Sequence, residues 1–281
     1  MSDRQRDDAD QGVAIEADGR RVLLKWHKLR RAASEPPFAI ANLPAGLALG
    51  ASMEIDVRLI ADGNWICLHD DVLDEETDGK GPVAELDTTA ARRLHIAGAS
   101  YPPPLLTDMT AAVAAAPASD ACLQLDLKEP AATLTEAGVA RFAEAIAPVA
   151  DRCLLSGTEY DAVTRLAAGI PGLRVGFDPC DMAETRDLTS RAAMAAFIDE
   201  VFAIAPEANA FYLYHRFVSA ALRLGINPLE TLKQNGAMID VWTLDPDTPG
   251  GRDSLADAIG AGADQITTND PPGLARLWAG G

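Results

Sequence analysis

The chain has 281 residues, of which 48% are hydrophobic, so it is long enough to build one large core. Its 42 acidic residues outnumber 24 basic ones and give a formal net charge of -18. A charge of this sign repels nucleic acid and anionic membranes, which argues against a general nucleic-acid binder. It also repels phosphorylated ligands, unless a bound cation reverses the local field.

The amino-terminal residues 1–12 are polar and charged, and we expect them to form a disordered tail before a single domain over residues 13–281. No apolar run follows this tail, so the sequence predicts neither a signal peptide nor a membrane span. All four cysteines lack CxxC or zinc-knuckle spacing and are expected to be reduced thiols. These features indicate a cytoplasmic protein, while its oligomeric state leaves no signal in the sequence.

Short apolar runs alternate with longer helical patterns, which is typical of repeated βα units and a parallel sheet. Eight runs predict strands at residues 22–27, 53–59, 122–128, 153–157, 173–177, 210–215, 238–244 and 263–268. A run at 65–69 predicts an extra hairpin strand after the second barrel strand. Alanine-rich stretches predict helices, at 133–148, 187–203 and 253–261 among others. Because the glycine motifs of a rival doubly wound sheet are missing, we predict an α/β fold, a TIM (β/α)8 barrel.

Catalytic side chains of a TIM barrel lie at the C-terminal ends of its strands, and six polar residues meet this criterion. They are His27, Glu54, Asp56, His69, Asp126 and Lys128. Strand side chains alternate between faces, so Glu54 and Asp56 share one face of the second barrel strand. Asp126 and Lys128 share one face of the third in the same way.

The three carboxylates among these residues imply a shared cation, because buried carboxylates are unfavourable without a partner. Oxygen ligands favour Mg²⁺ or Ca²⁺. The two histidines could act as general base and general acid, because histidine titrates near neutral pH. Lys128 would neutralise a phosphate oxygen.

Residues 50–86 combine a GA-x-x-E-x-D strand, a DG hairpin, an HD pair and a T-x-G-x-G turn. Near the C-terminus, IDVWTLDPD is followed by a helix and then by GADQITTNDP. These patterns resemble the glycerophosphodiester phosphodiesterase family, part of the phospholipase C-like phosphodiesterase superfamily. The resemblance covers nearly the whole barrel, and it is weak only across residues 130–235.

The resemblance implies a phosphoric diester hydrolase that uses one divalent cation, Mg²⁺ or Ca²⁺, on a small-molecule phosphodiester. By position, His27 and His69 match the catalytic pair, and Glu54, Asp56 and Asp126 match the metal ligands. A glycerophosphodiester-like substrate would give a phosphomonoester and an alcohol through a cyclic phosphate.

The sequence departs from the family pattern at Asp126 and at the two residues after the first histidine. Asp126 stands where members usually have Glu, and its D-x-K pattern resembles the related sphingomyelinase D enzymes. The Arg-Gly pair that usually follows the first histidine is replaced by Lys28 and a leucine; Lys28 keeps the charge but loses the bidentate fork of arginine.

Trp242 resembles a family tryptophan near the barrel mouth. Together with Lys128, Lys28 and Trp242 are the expected substrate-binding residues.

Three other functions remain open at the level of sequence. The first is a lyase-type phospholipase D that releases a cyclic phosphate, and the second is a phosphodiesterase for sugar phosphodiesters. The third is a barrel that binds a phosphorylated ligand without turnover. A sugar-converting barrel with paired carboxylates would leave the two strand-end histidines and Lys128 without a role.

Overall fold

The computed structural model describes residues 11–117 and 121–280. Its strands are β1 (Ala14–Ala17), β2 (Arg20–Trp26), β3 (Ser52–Leu59), β4 (Trp65–Ile66), β5 (Leu123–Leu127), β6 (Cys153–Gly157), β7 (Arg174–Phe177), β8 (Ala210–Tyr214), β9 (Met238–Trp242) and β10 (Gln265–Thr268). Its α-helices are α1 (Asn42–Leu49), α2 (Thr88–Ala91), α3 (Leu106–Ala115), α4 (Glu136–Ile146), α5 (Tyr160–Ala167), α6 (Cys180–Glu184), α7 (Arg191–Ile204), α8 (His215–Arg223), α9 (Pro228–Leu232), α10 (Gly251–Ala261) and α11 (Pro271–Ala279).

Eight parallel strands form a closed ring. The ring runs from β2 to β3, β5, β6, β7, β8, β9 and β10, and β10 pairs with β2 again. Helices surround this ring, so the predicted TIM barrel and its eight strands are confirmed. Strand β1, which the sequence analysis did not predict, pairs antiparallel with β2 outside the ring.

The hairpin strand after the second barrel strand is present but shorter than predicted. Strand β4 has two residues, paired antiparallel with the end of β3. After β4 the backbone no longer pairs with β3; the Cys67 N–H donates instead to the Pro104 carbonyl at 2.8 Å. His69 consequently lies in a turn beyond the strand, whereas the sequence placed it at the strand end.

The three predicted helical stretches correspond to helices α4, α7 and α10. Two of them begin at side-chain caps: the Thr135 hydroxyl accepts from the Gly138 N–H before α4, and the Ser190 hydroxyl accepts from the Ala193 N–H before α7. These caps start each helix a few residues later than the alanine-rich pattern indicates.

Most of the predicted amino-terminal tail, residues 1–10, lies outside the described part of the chain. Gly12, at the end of that tail, contacts the barrel: its carbonyl accepts from Trp26 Nε1 at 2.8 Å. The four cysteines are free thiols. No helix in ranges 11–117 and 121–280 is both long and apolar enough to cross a membrane.

The two faces of β3 explain how the fold positions polar side chains. Met53, Ile55 and Val57 are fully buried on the face that packs against the helices. Glu54 and Asp56 alternate with them and therefore project into the barrel. The barrel interior also contains buried polar side chains from other strands: Lys25, Gln124, Ser156, Asp240, Gln265 and Thr267.

Candidate active site

Three carboxylates meet at the C-terminal ends of β3 and β5. Asp56 and Asp126 are register partners on these adjacent strands, and Glu54 lies two residues before Asp56 on the same face. One oxygen from each carboxylate lies within 4.8 Å of the others. Glu54 and Asp56 are buried, whereas Asp126 is partly exposed. The structure therefore brings together the three residues that the sequence assigned to a metal.

Two lysines contact this acidic cluster. Lys128 Nζ lies 2.6 Å from Asp126 Oδ2 and 3.0 Å from Asp56 Oδ1. The Lys28 backbone N–H donates to Glu54 Oε2 at 2.8 Å, and Lys28 Nζ lies 3.6 Å from Asp56 Oδ2. Lys28 reaches this position with a φ of 52°, in the left-handed region.

The ionisation of the cluster reflects a deficit of positive charge. Burial, followed by the charges of Asp56 and Asp126, raises the pKa of Glu54 to about 8. Burial opposes ionisation of Asp56, but Lys128 and Lys28 together hold its pKa below its usual value. Burial likewise disfavours the Lys128 ammonium, yet Asp126 and Asp56 keep its pKa well above the ordinary value.

The arrangement fits a divalent cation. Within the described residues, Asp56 Oδ2 is buried and has no hydrogen-bond partner. An orphaned carboxylate oxygen beside two further carboxylates is an oxygen-only donor set of the kind that Mg²⁺ and Ca²⁺ bind. A cation there would also offset the burial and the neighbouring negative charges that raise the pKa of Glu54.

His27 follows β2, and its hydrogen bonds define one tautomer. Its Nδ1 lies 2.8 Å from Asn269 Oδ1, which also accepts from Arg30 at 2.8 Å. The Asn269 amide is oriented by its Nδ2, which donates to Asp245 at 2.8 Å. Nδ1 of His27 must therefore donate, and Nε2, 3.9 Å from Glu54, keeps its lone pair. Burial lowers the pKa of His27 to about 4, so the ring is neutral near pH 7.

His69 is anchored through its backbone and paired through its ring. Its N–H donates to Glu76 Oε2 at 2.6 Å, and its carbonyl accepts from Arg58 Nε at 2.8 Å. Its Nδ1 lies 2.8 Å from Asp70 Oδ1. The Asp70 carboxylate can only accept, so His69 Nδ1 donates to it and Nε2 is the nitrogen left without a partner from Asp70.

A cavity of about 500 Å³ joins these groups. His27, His69, the three carboxylates, Lys128 and Trp242 all line it. Lys28 is not among its described lining residues; the Lys28 ammonium instead lies 3.2 Å from Glu76. Trp242 stacks on Tyr214 with ring centroids 5.1 Å apart, and its Nε1 has no partner among the described residues.

Several residues of the site carried signals that the sequence analysis did not use. Arg58 continues the alternation of Glu54 and Asp56 on β3 and lines the cavity. Asn269 directly follows β10, so it satisfies the strand-end criterion that identified His27. Glu76 had no such signal, because it lies in a turn whose position depends on the folded loop.

A family comparison agrees with this geometry. Residues 40–272 match the model of the glycerophosphoryl diester phosphodiesterase family. The chain belongs to this family. As a glycerophosphodiester phosphodiesterase, it is a phosphoric diester hydrolase on a TIM barrel.

Solved structures share the fold of this glycerophosphodiester phosphodiesterase. A candidate glycerophosphodiester phosphodiesterase from Galdieria sulphuraria is 16% identical with a TM-score of 0.71, over 94% of this chain and 100% of the other. An Oleispira antarctica phosphodiesterase in complex with the product sn-glycerol-3-phosphate is 18% identical with a TM-score of 0.64, over 91% and 96%. A glycerophosphodiester phosphodiesterase from Thermotoga maritima is 16% identical with a TM-score of 0.62, over 91% and 98%. Comparison with curated proteins gives no match.

Proposed function

We propose that this chain uses one divalent cation, Mg²⁺ or Ca²⁺, to hydrolyse a glycerophosphodiester-like small molecule to a phosphomonoester and an alcohol. The observation that carries the proposal is one cavity lined by two histidines, three carboxylates and Lys128. Each class of group serves a different need of phosphodiester cleavage: proton transfer, cation binding and neutralisation of phosphate charge.

Glu54, Asp56 and Asp126 are the proposed cation ligands. When bound, a divalent cation would supply positive charge against a phosphodiester oxygen, where negative charge grows in the transition state. Lys128 already lies between Asp56 and Asp126, so it adds a second positive charge at the same edge of the cavity. This local charge would offset the formal net charge of -18, which by itself repels the substrate.

His27 is the proposed general base. Its Nδ1 donates to Asn269, so the lone pair on Nε2 is free to accept a proton. Nε2 would take the proton from a neighbouring hydroxyl of the substrate. The oxygen of that hydroxyl then attacks phosphorus, which gives a cyclic phosphate.

His69 is the proposed general acid. Asp70 accepts from its Nδ1, so Nε2 is the nitrogen that, in the protonated ring, would give its proton to the departing alcohol. Opening of the cyclic phosphate by water would use the same pair with the roles exchanged. His69 would then activate the water, and His27 would return its proton to the ring-opening oxygen.

Lys28 and Trp242 take different proposed roles. Lys28 offsets the charges of Asp56 and Glu76, and so supports the cluster from outside the cavity. Trp242 lines the cavity at the end of β9, where its ring would contact the alcohol group of the substrate.

The expected partner is a small molecule, because the 500 Å³ cavity suits a compact phosphodiester. The Oleispira antarctica structure contains sn-glycerol-3-phosphate, which is the kind of phosphomonoester that the proposal expects as product. Binding of nucleic acid is not expected from a chain this acidic. A cytoplasmic location is proposed, and four free cysteines fit a reducing compartment.

A phosphodiester panel tests the proposal. Glycerophosphocholine, glycerophosphoethanolamine, lysophospholipids and sugar phosphodiesters are assayed with EDTA and then with added Mg²⁺ or Ca²⁺, and products are followed by ³¹P NMR. We expect a phosphomonoester from a glycerophosphodiester only when a divalent cation is present. A cyclic phosphate that persists would favour the lyase instead, and full activity in EDTA would exclude the cation from the reaction.

A further inference from the structure

A chain of polar side chains crosses the barrel interior and ends at Asp126. Lys25, which is 1% exposed, donates from Nζ to Gln124 Oε1. Gln124 Nε2 donates to Ser156 Oγ at 2.8 Å. Ser156 Oγ lies 3.0 Å from Asp126 Oδ1. Strands β2, β5 and β6 supply these residues. The proposed reaction gives no role to Lys25, Gln124 or Ser156.

The hydrogen bonds of this chain have one direction. The Lys25 ammonium has protons and no lone pair, so Gln124 must turn its oxygen to Lys25 and its NH₂ group to Ser156. The Ser156 oxygen accepts from that NH₂ group, and the hydroxyl proton remains for Asp126. Each donor therefore points along the chain toward the carboxylate.

The starting point of the chain is itself fixed. Lys25 Nζ lies 3.0 Å from Asp240 Oδ2 and 4.5 Å from the centroid of the Tyr212 ring. Asp240 in turn accepts from Thr267 Oγ1 at 2.6 Å and from Gln265 Nε2. The Lys25 charge is thus paired with Asp240, and the hydrogen-bonded network spans five strands of the barrel.

Asp126 is held at both oxygens. Ser156 occupies Oδ1, and Lys128 lies 2.6 Å from Oδ2. Asp56 differs, because its Oδ2 has no hydrogen-bond partner among the described residues. Asp126 is also partly exposed, so without Ser156 its carboxylate could rotate toward solvent in the cavity.

We propose that Lys25, Gln124 and Ser156 are positioning residues that fix the Asp126 carboxylate for cation binding. The inference rests on the cation site of the proposed function. A carboxylate that is oriented before the ion arrives loses less rotational freedom on binding, and partners of ligating carboxylates typically change metal affinity by about 10- to 100-fold.

Removal of the Ser156 hydroxyl tests the series of hydrogen bonds from Lys25 to Asp126. Dissociation constants of Mg²⁺ and of Ca²⁺ are measured separately by isothermal titration calorimetry on the EDTA-treated, dialysed full chain. Ser156→Ala should weaken binding of an ion by about tenfold or more, since its loss frees Asp126 Oδ1. Added cation at saturation should restore most of the phosphodiesterase rate, because the variant retains all three proposed ligands.

A second serine supplies the matched control. Ser219 is also buried and lies 2.6 Å from an aspartate oxygen, that of Asp257. Ser219 belongs to helix α8 outside the ring. Ser156→Ala and Ser219→Ala should both lower the melting temperature, because each removes a buried hydrogen bond. Ser219→Ala should nevertheless leave the ion dissociation constants within about twofold of the wild type.

A double variant tests whether Gln124 and Ser156 act through one series of hydrogen bonds or independently. Gln124→Leu should also weaken ion binding, because Ser156 then loses the donor that orients its hydroxyl. The double variant with Ser156→Ala should be no weaker than the weaker single variant, since one interrupted chain cannot be interrupted again.

Unchanged ion affinity in Ser156→Ala would overturn the proposal, as would a wild-type chain that binds neither ion. Additive losses in the double variant would overturn it as well. The calorimetry uses no substrate, so a wild-type chain that binds cation but cleaves no phosphodiester would reject the proposed function and leave the positioning result valid.

Discussion

At the scale of single residues, the two histidines differ in the group that faces Nδ1. His27 donates to an amide, Asn269, whereas His69 faces the carboxylate of Asp70. Burial lowers the pKa of His27 to about 4, so its neutral ring can accept a proton at Nε2. Acid-base cleavage of a phosphodiester needs one nitrogen that accepts a proton and one that donates it, and both rings leave Nε2 available for such a role.

Replacement of either histidine tests this pairing. His27→Ala and His69→Ala should each lower kcat by roughly 10² to 10⁴, since proton transfer by a positioned side chain contributes about that factor. The measurement is the steady-state rate on the best substrate of the panel at saturating cation.

His95 provides the control for that experiment. It also pairs with an aspartate, its Nδ1 lying 3.1 Å from Asp78 Oδ2, but it is exposed and outside the cavity lining. His95→Ala should keep the wild-type rate within about twofold. Equal rates in all three variants would contradict the roles proposed for His27 and His69.

Asp178 makes stability depend on pH. Burial, with a further contribution from Asp126, raises the pKa of Asp178 to about 7, above the value near 4 of an unfolded aspartate. The folded chain therefore binds this proton more tightly, and the contribution of Asp178 to stability falls as the pH rises from about 4 to 7. At pH 8 the ionised carboxylate is a net destabilising group.

Asp178→Asn should raise the free energy of unfolding at pH 8 by about 1 to 3 kcal/mol and have little effect at pH 4. Asparagine can keep the hydrogen bond that Asp178 Oδ1 accepts from the Cys180 N–H. Urea denaturation in EDTA measures the change at both pH values. Asp181→Asn, at an exposed position of the same cavity wall, should change stability by less than about 0.5 kcal/mol. An equal gain in the free energy of unfolding at pH 4 and pH 8 would show that ionisation of Asp178 is not its cause.

At the scale of elements, Glu76 ties two loops together. It accepts from the backbone N–H groups of His69 and Asp70 at 2.6 and 3.0 Å, and it lies 3.2 Å from Lys28 Nζ. The loop after β4 and the turn after β2 are therefore connected by one carboxylate. Since each loop carries one of the two histidines proposed for catalysis, the relative position of the pair depends on this contact.

Glu76→Ala should lower kcat by about 10-fold or more and increase hydrogen exchange across residues 69–77, because three charge-assisted contacts are lost. Glu75→Ala is the control, since Glu75 is the exposed neighbour on the same turn. Hydrogen exchange in the Glu76 variant that matches the Glu75 variant would show that Glu76 does not order the loop.

At the scale of the whole molecule, cation binding should stabilise the fold. The proposed ion would bind the folded state only, because β3 and β5 bring the three carboxylates together. An ion at 100 times its dissociation constant should add about 2.7 kcal/mol to the free energy of unfolding. Scanning calorimetry with EDTA and with Mg²⁺ or Ca²⁺ measures this gain as a higher melting temperature.

Glu54→Gln separates the stability that the ion adds from the stability of the fold without the ion. The raised pKa of Glu54, about 8, means that the side chain is largely neutral at pH 7 without a cation. Glutamine should therefore leave the melting temperature in EDTA close to that of the wild type, while most of the gain from the ion is lost. A variant that keeps the full gain would show that Glu54 is not a ligand.

The sequence by itself determined the barrel and the principal residues of the site. Eight apolar runs predicted the strands because a parallel strand buried on both faces needs a continuous hydrophobic segment. Polar residues inside such runs are rare unless they have partners, so Glu54, Asp56 and Asp126 marked the site before the fold was known.

Only the tertiary structure decided how these residues are supported. Glu76, Asn269 and Ser156 reach their partners across 7, 242 and 30 residues of sequence, and no local pattern encodes such contacts. The same holds for Lys28, whose charge suggested a substrate contact but whose ammonium lies against Asp56 and Glu76. Strand periodicity is a local property of the chain, whereas the hydrogen bonds that fix an ionisable group depend on which strands and loops become neighbours.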